Sequence, residues 1–171
     1  MTRRFGLLLA GAAMAALVLA MAGIATAQSA TKATIRCDPS PPKACKGTPA
    51  DDAITGSGRA DNIFALGGSD SVDGNGGDDL VKGGTGDDLP GEGGGLEGGP
   101  GDDTVMGGLG DDTVQDQVTA DTDKLFGGRG DDFVNGADGD NRDMVNCGPG
   151  EDFFDADPGD KVNLNTCEKP F

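Results

Sequence analysis

Glycine and aspartate return together every nine residues through most of this chain. Two adjacent units show the full pattern: Gly98-Gly99-Pro100-Gly101-Asp102-Asp103-Thr104-Val105-Met106, then Gly107-Gly108-Leu109-Gly110-Asp111-Asp112-Thr113-Val114-Gln115. A fixed short period constrains the fold strongly, because one such unit cannot bury an apolar face alone and stacked units share a continuous core. Each unit reads as a glycine-rich turn, an acidic side chain and a short strand with one inward aliphatic residue. Phasing on the sixth-position aspartate gives thirteen units between Gly47 and Asn163. The acids are Asp52, Asp61, Asp70, Asp79, Asp88, then a gap, then Asp103, Asp112, Asp123, Asp132, Asp143, Asp152 and Asp160. The eighth positions are Ile54, Ile63, Val72, Val81, Pro90, Leu96, Val105, Val114, Leu125, Val134, Val145, Phe154 and Val162. Pro90 and Phe154 depart from the aliphatic rule.

High charge, abundant glycine and few aromatics also describe a disordered tail. The chain carries a formal charge of −17, with 32 Gly in 171 residues and no Trp or Tyr. The period argues for order, since a solvating tail does not need an aliphatic residue at a fixed offset from each aspartate. The acidic balance speaks against nucleic acid and anionic lipid, which repel a polyanion, and for cations. Without histidine there is no Ser-His-Asp triad, Cys-His pair or His-Glu-x-x-His zinc site. No enzyme is expected.

Arg3 and Arg4, an apolar stretch from Phe5 to about Ala25, and Ala25-Thr26-Ala27 read as a secretory signal peptide over residues 1–27. The competing reading is an uncleaved anchor helix; the Ala-x-Ala ending favours cleavage, with no membrane contact afterwards. All four cysteines lie in the exported part, where an even count implies disulfides. Three pairings are possible. The spacing favours Cys37–Cys45 and Cys147–Cys167, one staple at each end; zinc is disfavoured because no Cys-x-x-Cys occurs.

The Gly-Gly-x-Gly-x-Asp-x-apolar-x unit resembles the calcium-binding nonapeptide of the repeats-in-toxin (haemolysin-type) family over most of the mature length. The resemblance implies an all-β fold, a right-handed parallel β-roll with two repeats per coil. It places Ca²⁺ between turns two units apart, held by aspartate carboxylates and glycine-turn carbonyls. Onto this chain it maps Asp61, Asp70, Asp79, Asp88, Asp103, Asp112, Asp123, Asp132, Asp143 and Asp152. The turn glycines are Gly83, Gly84 and Gly86; Gly98, Gly99 and Gly101; Gly107, Gly108 and Gly110; and Gly127, Gly128 and Gly130. Asp112 should pair with Asp132, and Asp132 with Asp152. Asp88 pairs with Asp103 only if the eroded segment Leu89–Glu97, which lacks an aspartate, still completes a half-coil. If it loops out, the two fall on opposite sides. The fifth-position acids Asp78, Asp87, Asp102, Asp111 and Asp131 are expected to stay solvated. Coils about 4.8 Å apart would set neighbouring carboxylates to repel by about 1 kcal/mol in water and about 3 kcal/mol at an effective dielectric of 20, so folding should be coupled to calcium.

The expected organisation is a signal peptide (1–27), an N-terminal cap (28–46), the roll (47–163) and a C-terminal cap (164–171). Asp138-Gly139-Asp140-Asn141-Arg142-Asp143 looks like the start of an EF-hand loop, but Arg142 and Pro149 occupy ligand positions. Arg129-Gly130-Asp131 falls on ordinary repeat positions. The reading is a secreted, monomeric calcium-binding protein with no known protein partner. The alternatives are an extracellular structural or adhesive module using calcium only to fold, and an accessory or remnant of a secreted repeats-in-toxin enzyme or toxin.

Overall fold

The computed structural model describes residues 32–38, 44–90, 95–118 and 121–170. The signal-like segment 1–27, the prolines at 39, 41 and 42, and Glu92 lie outside them. The described residues contain strands and no helix, and so none long and apolar enough to cross a membrane.

The strands divide alternately between two parallel sheets. One sheet takes β1 (Ala33–Arg36), β3 (Asp52–Thr55), β5 (Ser71–Asp73), β7 (Leu96–Glu97), β9 (Thr113–Gln115), β11 (Phe133–Gly136), β13 (Phe153–Ala156) and β15 (Lys169–Pro170). The other takes β2 (Cys45–Lys46), β4 (Asn62–Gly67), β6 (Leu80–Thr85), β8 (Thr104–Leu109), β10 (Lys124–Arg129), β12 (Met144–Asn146) and β14 (Lys161–Val162). Successive strands change sheet, so the chain winds as a parallel β-solenoid of about six turns, the β-roll that the family resemblance implied. Residues 28–46, expected as a cap, supply β1 and β2, the first rungs of the two sheets. At the other end β15 pairs with β13.

The core is two columns of single aliphatic side chains. Ile54, Val72, Leu96, Val114 and Val134 stack in register down one sheet, and Ile63, Val81, Val105, Leu125 and Val145 down the other. All ten are at most 2% exposed, and together they form one cluster. Burying each contributes about 1.5–3 kcal/mol, and their β-branched or aliphatic shape suits a pleated surface. The cluster is closed at its ends by Cys45 and by Cys147 and Cys167. The structure forms the disulfides Cys37–Cys45 and Cys147–Cys167.

The eroded segment is not a separate half-coil. Leu96, not Pro90, pairs with Val72 and Val114, and the Gly95 carbonyl accepts a hydrogen bond from the N–H of Val72. Leu96 therefore completes the strand of the Asp88 unit after a six-residue excursion, and the count of thirteen units falls by one. Leu89 and Pro90, at the start of the excursion, are exposed. Pro90 cannot donate a ladder hydrogen bond, so the chain leaves the sheet there and returns once a donor and an aliphatic residue are available.

In the later turns the second position is held by glycine with a backbone that an L side chain resists. Gly84, Gly108 and Gly128 align across adjacent coils with φ of 118°, 130° and 128°. An L side chain at such φ is strained. Leu66 holds the same column with φ of 85° and a half-exposed side chain, an observed strain in the roll.

Candidate metal centre

The sixth-position aspartates line the two edges where the chain crosses between sheets. On one edge, the backbone N–H of Asp52 donates to Oδ1 of Asp70 (2.8 Å), Asp70 to Asp88 (2.8 Å), Asp88 to Asp112 (3.0 Å), Asp112 to Asp132 (2.9 Å) and Asp132 to Asp152 (2.8 Å). On the other edge, Asp61 donates to Asp79 (2.7 Å), Asp79 to Asp103 (2.6 Å), Asp103 to Asp123 (2.8 Å), Asp123 to Asp143 (2.8 Å) and Asp143 to Asp160 (3.1 Å). The expected neighbours Asp112, Asp132 and Asp152 are thus brought together. Asp88 and Asp103 are not: they lie on opposite edges, because Leu96 serves as the strand residue of the Asp88 unit and no extra half-coil stands between that unit and Asp103. Asp88 meets Asp112 instead, 24 residues on, where the first coils span 18.

Each ladder hydrogen bond uses one carboxylate oxygen. The second, Oδ2, is buried and unpartnered in Asp70, Asp79, Asp88, Asp103, Asp112, Asp132, Asp143 and Asp152. These residues are at most 3% exposed. In five of these turns Oδ2 lies over the first glycine of its own turn: Gly74, Gly83, Gly98, Gly107 and Gly127, where a methyl would collide with it. A buried carboxylate oxygen without a donor is costly, and a row of them at turns whose backbone is glycine fits a hard cation with oxygen ligands.

The burial leaves its mark on the protonation of these groups. Desolvation, the largest cause throughout, raises Asp70, Asp79 and Asp112 to about 7 and Asp103 and Asp123 to about 8. It raises Asp88, Asp132 and Asp143 to about 6. Hydrogen bonds from the preceding rung pull in the other direction, and neighbouring carboxylates add to the rise. A cation among these oxygens would remove the penalty.

The comparison with protein families matches residues 47–90, 96–114 and 117–142 to the RTX calcium-binding nonapeptide repeat in four copies, more than half of the chain. The protein belongs to this RTX repeat family. Searches of curated proteins and of solved structures return no match. RTX nonapeptide repeats bind Ca²⁺, and the buried oxygens provide the donor chemistry for it. The break in the RTX match after residue 90 coincides with the excursion after Asp88.

Not every RTX turn leaves an oxygen available. In the first two turns Thr48 and Ser57 stand at the second position. The Thr48 N–H and hydroxyl bind Asp52 Oδ2, and the Ser57 N–H binds Asp61 Oδ2 at 2.6 Å. In the last, the Asp157 N–H binds Asp160 Oδ2 at 2.7 Å. Asp61, expected as a ligand, therefore has one oxygen satisfied by its own turn.

The fifth-position acids are exposed, and they also form a second ladder. Asp78 accepts from the N–H of Asp102 (3.2 Å), Asp87 from Asp111 (3.0 Å), Asp111 from Asp131 (2.8 Å) and Asp102 from Thr122 (2.9 Å). The doubled aspartate thus has two structural uses, an inner rung and an outer one.

Two further carboxylate groups come from the two units that carry extra residues. Asp103, Asp116 and Asp123 place oxygens within 4.8 Å of one another, and so do Asp138, Asp140 and Asp143. Asp116 was not expected as a ligand. Its only signal in the sequence is an acid in place of the first glycine of the lengthened unit, residues 116–126. Asp138 and Asp140 belong to the segment resembling an EF-hand start. Their carboxylates converge on Asp143, while Arg142 reaches Asp140 at 3.4 Å.

Proposed function

We propose that this chain is a secreted protein that binds several calcium ions at the edges of its roll and folds as it binds them. The observation that carries the reading is the row of eight buried, unpartnered Oδ2 atoms, whose negative charge a bound cation would neutralise. Asp70, Asp79, Asp88, Asp103, Asp112, Asp132, Asp143 and Asp152 would supply carboxylate oxygen. The turns Gly83–Asp88, Gly98–Asp103, Gly107–Asp112 and Gly127–Asp132 would supply carbonyls. Bound calcium would neutralise carboxylates stacked on successive coils, and the chain's own part is to hold their second oxygens buried and aligned.

Secretion is supported by the Arg3-Arg4 and Ala25-Thr26-Ala27 pattern and by two disulfides, which suit an oxidising space. A binding role rather than an enzymatic one is supported by the chain's lack of histidine and by the assignment of its carboxylates to the ladders. The test is a calcium titration of the disulfide-intact protein followed by circular dichroism and calorimetry. Strand signal should rise with calcium and collapse in excess chelator. The same strand content in chelator and in millimolar calcium, with no heat of binding, would refute the proposal.

A further inference from the structure

We propose that Asp103, Asp116, Asp121 and Asp123 form a carboxylate-only cation site, built by the two-residue insertion and binding calcium more tightly than the regular turns. The inference rests on the calcium reading for Asp103 and Asp123, and goes beyond it for Asp116, whose side chain replaces a turn glycine, and Asp121, which lies in the lengthened turn two residues before Asp123.

The placement follows from the coil. Asp73, Glu97 and Gln115 align across adjacent strands. The next residue is Gly74 in one coil, Gly98 in the second and Asp116 in the third. Asp116 therefore stands where the regular turn has its first glycine. Its side chain reaches back over Gly98, where a methyl would meet Oδ2 of both Asp103 and Asp116. The next coil on this edge runs 20 residues from Asp103 to Asp123 instead of 18, and the extra length brings Asp121 alongside.

Three features mark this as a built site and not a solvated acidic patch. First, Asp103, Asp116 and Asp123 are each 1% exposed, with oxygens within 4.8 Å of one another. Second, Asp103 Oδ2 is buried, unpartnered and directed at Asp116, and Oδ1 of Asp121 is likewise buried and unpartnered. Third, the two added carboxylates are held in place by backbone donors. The Gly99 N–H donates to Asp116 Oδ2 at 2.9 Å, the Val118 N–H to Asp116 Oδ1 at 3.2 Å, and the Gly101 N–H to Asp121 Oδ2 at 3.0 Å. In keeping with this crowding, Asp116 and Asp121 both push the protonation of Asp103 and Asp123 upward.

A regular turn offers two carboxylates and backbone carbonyls. This one offers up to four carboxylates already fixed in position. Calcium affinity rises with the number of charged ligands and with site rigidity, so this site should fill first. All-oxygen donors select a hard ion, and several convergent carboxylates suit calcium better than magnesium, which keeps most of its water. The second insertion differs: its Asp140 carboxylate already faces the Arg142 guanidinium at 3.4 Å, a cation that the Asp103 group does not have among the ion pairs of the described residues.

Calcium calorimetry on the full chain tests the idea. The wild type should show one tight class with a stoichiometry of one, followed by a weaker class. Asp121→Asn keeps an oxygen for the Gly101 N–H while removing the charge. It should weaken the tight class by about tenfold or more and leave the weaker class and the calcium-saturated circular dichroism unchanged. Asp116→Asn provides a second removal of charge at the same site. Asp132→Asn, in a regular turn on the opposite edge, should reduce the weaker class and spare the tight one. A single class of equivalent sites in the wild type, or a tight class unchanged in Asp121→Asn and Asp116→Asn, would overturn the inference while leaving the general calcium reading intact. No calcium binding by any of these proteins would overturn both.

Discussion

Protons should be able to replace calcium in this roll. The perturbation is acidification of the metal-free, disulfide-intact protein in excess chelator. Asp70, Asp79 and Asp112 rise from 3.8 to about 7 on folding, chiefly through burial. Their folded forms hold protons that the unfolded chain has released, so between about pH 4 and about pH 7 the folded state binds more protons, and its stability falls as pH rises. A rise of about three units is worth about 4 kcal/mol for one carboxylate. Several such groups on neighbouring rungs together rival the stability of an ordinary domain, about 5–15 kcal/mol. Asp103 and Asp123, raised to about 8, extend the window upward. The chelated chain should therefore lack strand signal at about pH 7.5 and regain it near pH 4, where most of these groups are neutral. The assay is far-ultraviolet circular dichroism across this range, with sedimentation velocity to exclude aggregates. A coil spectrum at every pH in chelator would refute the argument that buried, unpartnered carboxylates hold the metal-free chain open. So would full strand content at neutral pH.

Other perturbations probe single parts of the roll. Leu66→Gly removes a left-handed leucine at a column otherwise held by glycine and should stabilise the calcium-loaded protein by about 1 kcal/mol, read as a higher thermal midpoint. Gly107→Ala places a methyl against Asp112 Oδ2 and the Gly127 carbonyl. It should destabilise by about 1–3 kcal/mol and weaken calcium binding, visible in the same calorimetric titration. Deleting residues 89–94 joins Asp88 to Gly95, which already lies against the Asp88 carbonyl, and restores the 18-residue coil seen from Asp70 to Asp88. Strand content and calcium stoichiometry should be unchanged. Replacing Cys37 and Cys45 by serine opens a loop of separation 8 and should cost about 2–3 kcal/mol, measured by denaturant unfolding in saturating calcium.

The nine-residue period by itself determined the short strands, the aliphatic column and the recurring acid, and the family resemblance that its residues carry implied the roll and its two alternating sides. The period could do so because each unit repeats the same local physics: glycine turns, one acid, one β-branched residue facing inward. Both disulfide pairs were legible too, since their spacing brackets the array. Tertiary structure decided what depends on lateral register. The period does not show that Leu96 takes the place Pro90 cannot fill, and that choice moves Asp88 and Asp103 to opposite edges. Nor does it show that the Thr48 and Ser57 N–H groups satisfy the first two carboxylates while eight later oxygens are left for a cation. The convergence of Asp116 and Asp123 on Asp103 is of the same kind. Its members lie up to 20 residues apart in sequence, and only the stacking of one coil on the next brings them together.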